Sequence, residues 1–200
     1  MDLIAGPQGS GKSTFFPVTG RGRDAFNIDD HRRALAGESA NKITGAVRQQ
    51  ATADYEAFIE NHIRGKKDFS IEVTLAREVT FEQARRAKRL GFAVQLTFVA
   101  AELDECIARV AGRVERGGHG VLPDVIRVTH AASMKNLARA LATFDVVEVY
   151  DNSRQAGLDD EPAQTKPRMV LEYRGGKVGF VAASLPAWLE AALRGTPFEI

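Results

Sequence analysis

Gly6-Pro7-Gln8-Gly9-Ser10-Gly11-Lys12-Ser13 follows the pattern G-x-x-x-x-G-K-[ST], and no other stretch narrows the fold as much. In a loop of this kind the glycines let backbone N–H groups close around a phosphate, the lysine reaches the outer phosphates, and the serine hydroxyl suits Mg²⁺. Such a loop needs a buried strand before it and a helix after it, whose N-terminal dipole adds attraction for the anion. Asp2-Leu3-Ile4-Ala5 reads as that strand, and Lys12, Ser13 and Thr14 open the helix. The motif points to nucleoside triphosphate binding, so ATP and Mg²⁺ are the expected cofactors. The destination of the phosphate has to come from the rest of the chain.

The 200 residues, 44% of them hydrophobic, suffice for one good core, and neither a repeat nor a composition break divides them. A single domain over 1–200 is expected. The 27 basic and 26 acidic side chains leave a formal charge of +1, so no global field draws the protein to nucleic acid or an anionic membrane. Cys106 is the only cysteine, which excludes an internal disulfide and fits a reducing compartment. No basic stretch with an apolar run opens the chain and no eighteen apolar residues run together, so a soluble, cytoplasmic protein is expected.

Beyond the loop, Thr14-Phe15-Phe16 begins a short helix that Pro17 and the glycines at 20 and 22 interrupt. Phe26-Asn27-Ile28 reads as a brief strand with Asp29 and Asp30 at its carboxyl end, where ligands sit in open α/β sheets. Between Asn41 and Arg64, the spacing of Ile43, Val47, Ala51, Tyr55, Phe58 and His62 predicts one face of a long helix. Phe69 to Val73 reads as a strand, Glu78 to Leu90 as a helix stopped by Gly91, and Phe92 to Val99 as the most hydrophobic strand. A helix from about Glu102 to Arg116 follows, then Gly117-Gly118-His119-Gly120, then a helix from Pro123 to about Phe144. Val146 to Tyr150 is expected to be the last parallel strand, and 154 to 167 a loop. A hairpin, Arg168 to Arg174 with Lys177 to Val181, and a helix from Pro186 to Leu193 close the chain at 168–194. This pattern predicts a doubly wound α/β domain with a central, mainly parallel sheet of about five strands.

Three groups of residues could carry chemistry. Asp29 is read as the catalytic base, because it leaves a strand end close to the loop, where a hydroxyl would attack a γ-phosphate; its alternative role is a helix N-cap. Glu72 interrupts an apolar strand, which leaves metal coordination, a bond to a substrate hydroxyl, or an edge strand facing water as its reasons, and Thr74 and Arg77 share its fate. Arg109, Arg113 and Arg116 line one flank of a helix that leads into the Gly-Gly-His-Gly segment. That describes a mobile lid over about 109–123 able to neutralise charge during transfer, or else a solvated basic face with partners one turn away. His119 is read as a hinge residue or phosphate contact, and the other histidines have no metal-ligand spacing.

Together these stretches resemble the zeta toxin family of P-loop kinases, and more closely its small bacterial zeta-like ATPase branch. The matching segments are Ala5 to Thr14, Asn27-Ile28-Asp29-Asp30, Glu72-Val73-Thr74-Leu75, Ala108 to Ile126, Ser133 to Leu137 and Tyr150-Asp151-Asn152-Ser153. The resemblance implies a kinase-type P-loop NTPase, a three-layer sandwich with helices on both faces of the sheet. It also implies phosphorylation of the 3′-hydroxyl of a UDP-N-acetyl amino sugar with ATP and Mg²⁺, and an antitoxin protein that occludes the nucleotide site. Asp29 takes the position of the catalytic base, Asn27, Glu72, Thr74 and Arg77 fall on the substrate side, and Asn152 falls on the nucleotide side. The family's pair of phosphate-contacting arginines maps onto two of Arg109, Arg113 and Arg116. The chain departs from the pattern at the arginine after Glu-x-Thr, which is Ala76 or Arg77 here, and in the basic run thinned to Arg127-Val128-Thr129-His130. It also lacks the extra helices with which larger members bind the uridine sugar. A rival reading is an ATP-binding switch or ATPase that acts through a protein partner.

Overall fold

The computed structural model describes residues 1–37, 43–154 and 166–200. Its first strand, β1 (Asp2–Ala5), lies inside the sheet, with Leu3, Ile4 and Ala5 fully buried. Helix α1 (Lys12–Phe15) follows the phosphate loop. The chain continues through β2 (Asp24–Asn27), α2 (Ile28–Ala36), α3 (Gly45–Gly65) and β3 (Phe69–Val73). Next come α4 (Glu78–Arg89), β4 (Gln95–Ala100), α5 (Leu103–Glu115), α6 (Pro123–Lys135), α7 (Leu137–Thr143) and β5 (Val146–Asp151). The hairpin β6 (Arg168–Arg174) and β7 (Lys177–Val181) precedes the closing helix α8 (Ala187–Leu193).

The seven strands of the described residues form one sheet in the order β2-β3-β1-β4-β5-β6-β7. The pairs from β2 through β5 are parallel, and β5-β6 and β6-β7 are antiparallel. Thus the expected five-stranded parallel sheet is present, and the hairpin extends that same sheet at its β5 edge. The strand order reverses at β1, where the chain goes first to β3 and β2 and then to β4 and β5. Ligands in open α/β sheets bind outside the carboxyl ends at such a switch point, and β1 ends there in the phosphate loop.

Local chemistry moves several boundaries. The side chain of Asn27 accepts the amides of Asp29 (2.9 Å) and Asp30 (3.3 Å), which starts a helix at Ile28 and ends the strand one residue earlier than its apolar pattern predicts. Thr44 caps α3 by accepting the Val47 amide at 3.3 Å; the predicted start at Asn41 lies outside the described residues, as does most of the predicted 154–167 loop. The buried stripe of α3 is Ala51, Tyr55, Ile59 and Ile63, rotated from the predicted face. Phe58 and His62 sit on its flank, with ring centres 5.8 and 5.3 Å from that of Phe69. β4 begins at Gln95 rather than Phe92, because Phe92 still donates its amide to the Ala87 carbonyl of α4. The single helix expected from Pro123 to Phe144 is broken at Asn136, whose side chain is drawn to the Leu75 carbonyl at 2.9 Å.

The main core lies on the sheet faces under α3, α4, α7 and α8. A smaller cluster of Ala101, Cys106, Val110 and Ile126, with Leu103, Ile107 and Val121 against it, seals α5 to α6 beside the phosphate loop. Among the described residues no helix is long and apolar enough to cross a membrane.

Candidate active site

The phosphate loop is moulded onto two neighbouring elements. A Cβ at Gly9 would stand 2.3 Å from the Cys106 carbonyl oxygen of α5, and one at Gly11 would stand 2.3 Å from Asn152 Nδ2 beyond β5. Both residues also have positive φ, 79° and 91°, so glycine is required there by conformation and by space. Gly6 opens the loop, and the Pro7 carbonyl accepts the Ser10 amide at 3.3 Å. Asn152, buried, donates Nδ2 to the Ser10 carbonyl at 2.8 Å, and Gln8 Oε1 accepts the Thr129 hydroxyl of α6. The Ser10 hydroxyl is buried without a partner among the described residues, while Thr14 is exposed on α1.

Lys12 is buried, and its ammonium donates to the Pro7 carbonyl at 3.0 Å. Burial holds its pKa below the ordinary lysine value, and the carboxylates of Glu72 and Asp29 oppose that shift. Glu72 lies on β3, an interior strand between β1 and β2, so the edge-strand reading is corrected. Its pairing partner on β1 is Ile4, and its carboxylate oxygens stand 3.0 and 2.9 Å from the Ser13 hydroxyl. Burial raises the Glu72 pKa, and Lys12 and the Ser13 bond pull it back.

Asp29 is not a cap; that role belongs to Asn27. The Asp29 carboxylate is half exposed in the first turn of α2 and pairs with Arg32 at 3.0 Å. Its charge acts on Lys12, Glu72, Arg113 and His119, which draws these groups into one electrostatic cluster at the mouth of the loop. Arg113 is half buried and donates Nε to the His119 carbonyl at 3.0 Å, while its Nη2 is buried without a partner among the described residues. Burial lowers the Arg113 pKa, with Asp29 opposing, and burial followed by Arg113 lowers that of His119.

The three arginines of the row separate. Arg109 donates Nη2 to Glu105 one turn back (2.8 Å) and to the Asn152 carbonyl (2.7 Å), and its Nη1 is buried and unpartnered among the described residues. Arg116 follows the last residue of α5, exposed, with its guanidinium beside Gly112 of its own helix. Arg113 acts on Lys12, and Asp29 acts on Arg113.

On the far side, the Thr74 carbonyl accepts the Ser133 hydroxyl of α6. Leu75 has a φ of 63° with its side chain fully buried, a backbone state that costs a leucine about 1–2 kcal/mol and persists only where the surroundings hold it. Arg77 is exposed at the start of α4, and its charge partly offsets the rise that burial gives the Tyr55 pKa. The other histidines are spent elsewhere: His31 on Asp54 (2.7 Å), His62 on the Phe58 carbonyl (2.7 Å) and Asp24 (3.0 Å), and His130 on the Ala101 carbonyl (3.0 Å). Thr129, Ser133 and Asn136 were not singled out individually from sequence. Their spacing of four and three, which puts three polar residues on one side of a helix, is the available signal.

Ser13 and Glu72 provide only oxygen donors, and Mg²⁺ is usually held by one or two such groups plus substrate phosphates. The residues therefore fit that ion. A loop of backbone amides, one buried ammonium and a half-buried guanidinium suits a bound polyphosphate, with two carboxylates at its rim.

The AAA domain family AAA_33 matches residues 1–145. The chain belongs to that family. Among solved structures, it aligns with the AvrRxo1-ORF1:AvrRxo1-ORF2 complex bearing sulphate ions at 19% identity and a TM-score of 0.64, covering 88% of this chain and 59% of that one. The complex with ATP aligns at 17% identity and a TM-score of 0.64 with the same coverage. The PezAT chromosomal toxin-antitoxin system of Streptococcus pneumoniae aligns at 19% identity and a TM-score of 0.56, covering 83% and 74%. The fold is thus that of P-loop kinase-like proteins, and the chain spans 59% of the AvrRxo1 chains it matches. No curated protein sequence matches it.

Proposed function

We propose that the chain is an ATP- and Mg²⁺-dependent small-molecule kinase that transfers the γ-phosphoryl group to a hydroxyl of a nucleotide-sugar, UDP-N-acetylglucosamine-like, or a related acceptor. The observation that carries this reading is the clustering of Lys12, Glu72, Asp29 and Arg113 around the loop, two cations for phosphate and two carboxylates for an acceptor hydroxyl. Phosphoryl transfer asks a protein mainly for position and charge stabilisation. The loop amides and Lys12 hold the phosphates, and Mg²⁺ held by Ser13 would neutralise charge between the outer two. Arg113 meets charge that develops on the transferring group. Glu72 and Thr74 orient the acceptor, and Asp29 takes its proton. Residues 1–200 act as one domain whose 109–123 segment serves as lid.

A protein partner resembling an antitoxin belongs to the same reading, supported by the toxin-antitoxin complex among the structural neighbours. The contact between Ser13 and Glu72 favours a second reading, in which Glu72 orients water and the chain is an ATPase switch. The deciding experiment incubates the protein with Mg²⁺-ATP and a panel of UDP-sugars, nucleosides and sugar alcohols, and seeks by mass spectrometry an acceptor heavier by one phosphoryl group. The kinase reading requires a product that Asp29→Asn lowers on the order of 10²–10⁴-fold without loss of ATP binding. Steady hydrolysis insensitive to Asp29→Asn, with no phosphorylated acceptor, would establish the switch.

A further inference from the structure

One face of α6 reaches three separate segments of the site. Its Thr129 hydroxyl meets Gln8 of the phosphate loop, and His130 bonds the Ala101 carbonyl, buried just past the end of β4. Ser133 reaches the Thr74 carbonyl and lies 2.6 Å from the Thr129 carbonyl of its own helix. Asn136 donates to the Leu75 carbonyl at 2.9 Å. These side chains occur at steps of one, three and three residues, which brings them to one side of the helix. Two successive carbonyls of the β3–α4 loop are therefore tied to the helix that also touches the phosphate loop.

We infer that α6 is the positioning helix of the site: Ser133 and Asn136 hold the Thr74–Leu75 backbone so that Glu72 and Thr74 keep a fixed distance from the phosphate loop. This rests on Glu72 and Thr74 serving the acceptor. Leu75 supplies the physical reason for the two bonds. A buried leucine with a φ of 63° relaxes toward the extended region when unrestrained, and that rotation would swing the peptide following Thr74. Neither Ser133 nor Asn136 needs to touch a reactant. Their effect is on alignment, in which small displacements change rates by orders of magnitude.

The test compares Ser133→Ala, Asn136→Ala and the conservative Ser133→Thr with wild type. Backbone hydrogen exchange over 72–77 is measured, together with kinetics using UDP-N-acetylglucosamine or the panel member that wild type phosphorylates. Both alanine variants are expected to exchange that segment at least tenfold faster and to lose at least tenfold in kcat/KM for the acceptor, with the KM for ATP within twofold and recovery in Ser133→Thr. Unchanged exchange overturns the inference, as does faster exchange with unaltered acceptor kinetics or an equal loss of ATP affinity, which would mark a merely structural role. If wild type phosphorylates no acceptor, the kinase reading falls separately. The alignment claim is then read from ATP hydrolysis: loss in both alanine variants with recovery in Ser133→Thr supports it, and wild-type rates overturn it.

Discussion

The Ser13 hydroxyl stands 3.0 and 2.9 Å from the two carboxylate oxygens of Glu72. A hydroxyl has one proton, so it satisfies one oxygen at a time and leaves Glu72 with acceptor capacity for an ion, a water or a substrate hydroxyl. The pair joins the start of α1 to the end of β3 across the strand-order switch at β1. It thus links the expected metal side of the site to the expected acceptor side.

The first prediction concerns the pH dependence of this pair. Burial raises the folded pKa of Glu72 above its ordinary value of 4.5, so the folded protein keeps a proton that the unfolded chain releases. That contribution is fully present below the ordinary value and is lost as pH rises through the raised one. Glu72→Gln has no proton to lose. Its melting temperature relative to wild type should therefore climb between pH 4 and pH 8. Thermal melts of both proteins without nucleotide provide the check, and a pH-independent difference would remove the burial argument.

Arg113 and Arg116 should behave differently. Arg113 has a buried nitrogen without a partner among the described residues and couples to Asp29 and Lys12, whereas Arg116 is exposed along its own helix. Arg113→Ala is expected to lower the phosphoryl-transfer rate on the order of 10²–10³-fold, the usual cost of removing a preorganised donor aimed at developing charge. Arg116→Ala is expected to stay within about threefold, as for a surface change away from the chemistry. Single-turnover rates at saturating ATP separate the two, and equal losses would restore Arg116 to the site.

How much of this was legible depended on whether the partners were close in sequence. The phosphate loop and its flanks were readable because strand, glycines, lysine and helix start fall within Asp2 to Phe15. The hairpin boundaries were readable too, since Gly175-Gly176 separates two runs of strand-forming residues. Strand order is not a local property, so Glu72 could not be told from an edge residue until β2 was seen to cover β3. Arg109 belonged to a row that suggested phosphate, but Glu105 one turn back and the distant Asn152 carbonyl occupy much of it. Ser133 and Asn136 were hidden for the same reason: their acceptors are carbonyls 59 and 61 residues away.

Lys12 allows a prediction in which stability and binding move in opposite directions. Its ammonium is buried and among the described residues bonds only the Pro7 carbonyl, and burial outweighs the attraction of Glu72 and Asp29, so its folded pKa lies below the ordinary 10.5. The charged form is therefore disfavoured by folding, and the penalty is relieved as pH rises through the window between the depressed value and 10.5. Lys12→Met, close in volume and uncharged, should melt above wild type at pH 7 without nucleotide, by a margin that shrinks toward pH 10. With ATP at about 100 times its dissociation constant, wild type should gain about 2.7 kcal/mol by mass action, whereas the variant, lacking the cation that reaches the phosphates, should gain little. Melting curves with and without Mg²⁺-ATP should therefore exchange order between the two proteins. A Lys12→Met protein that melts below wild type in the absence of nucleotide would mean that Pro7, Glu72 and Asp29 already offset the cost of burying the charge, and that the site is not held in tension for a phosphate.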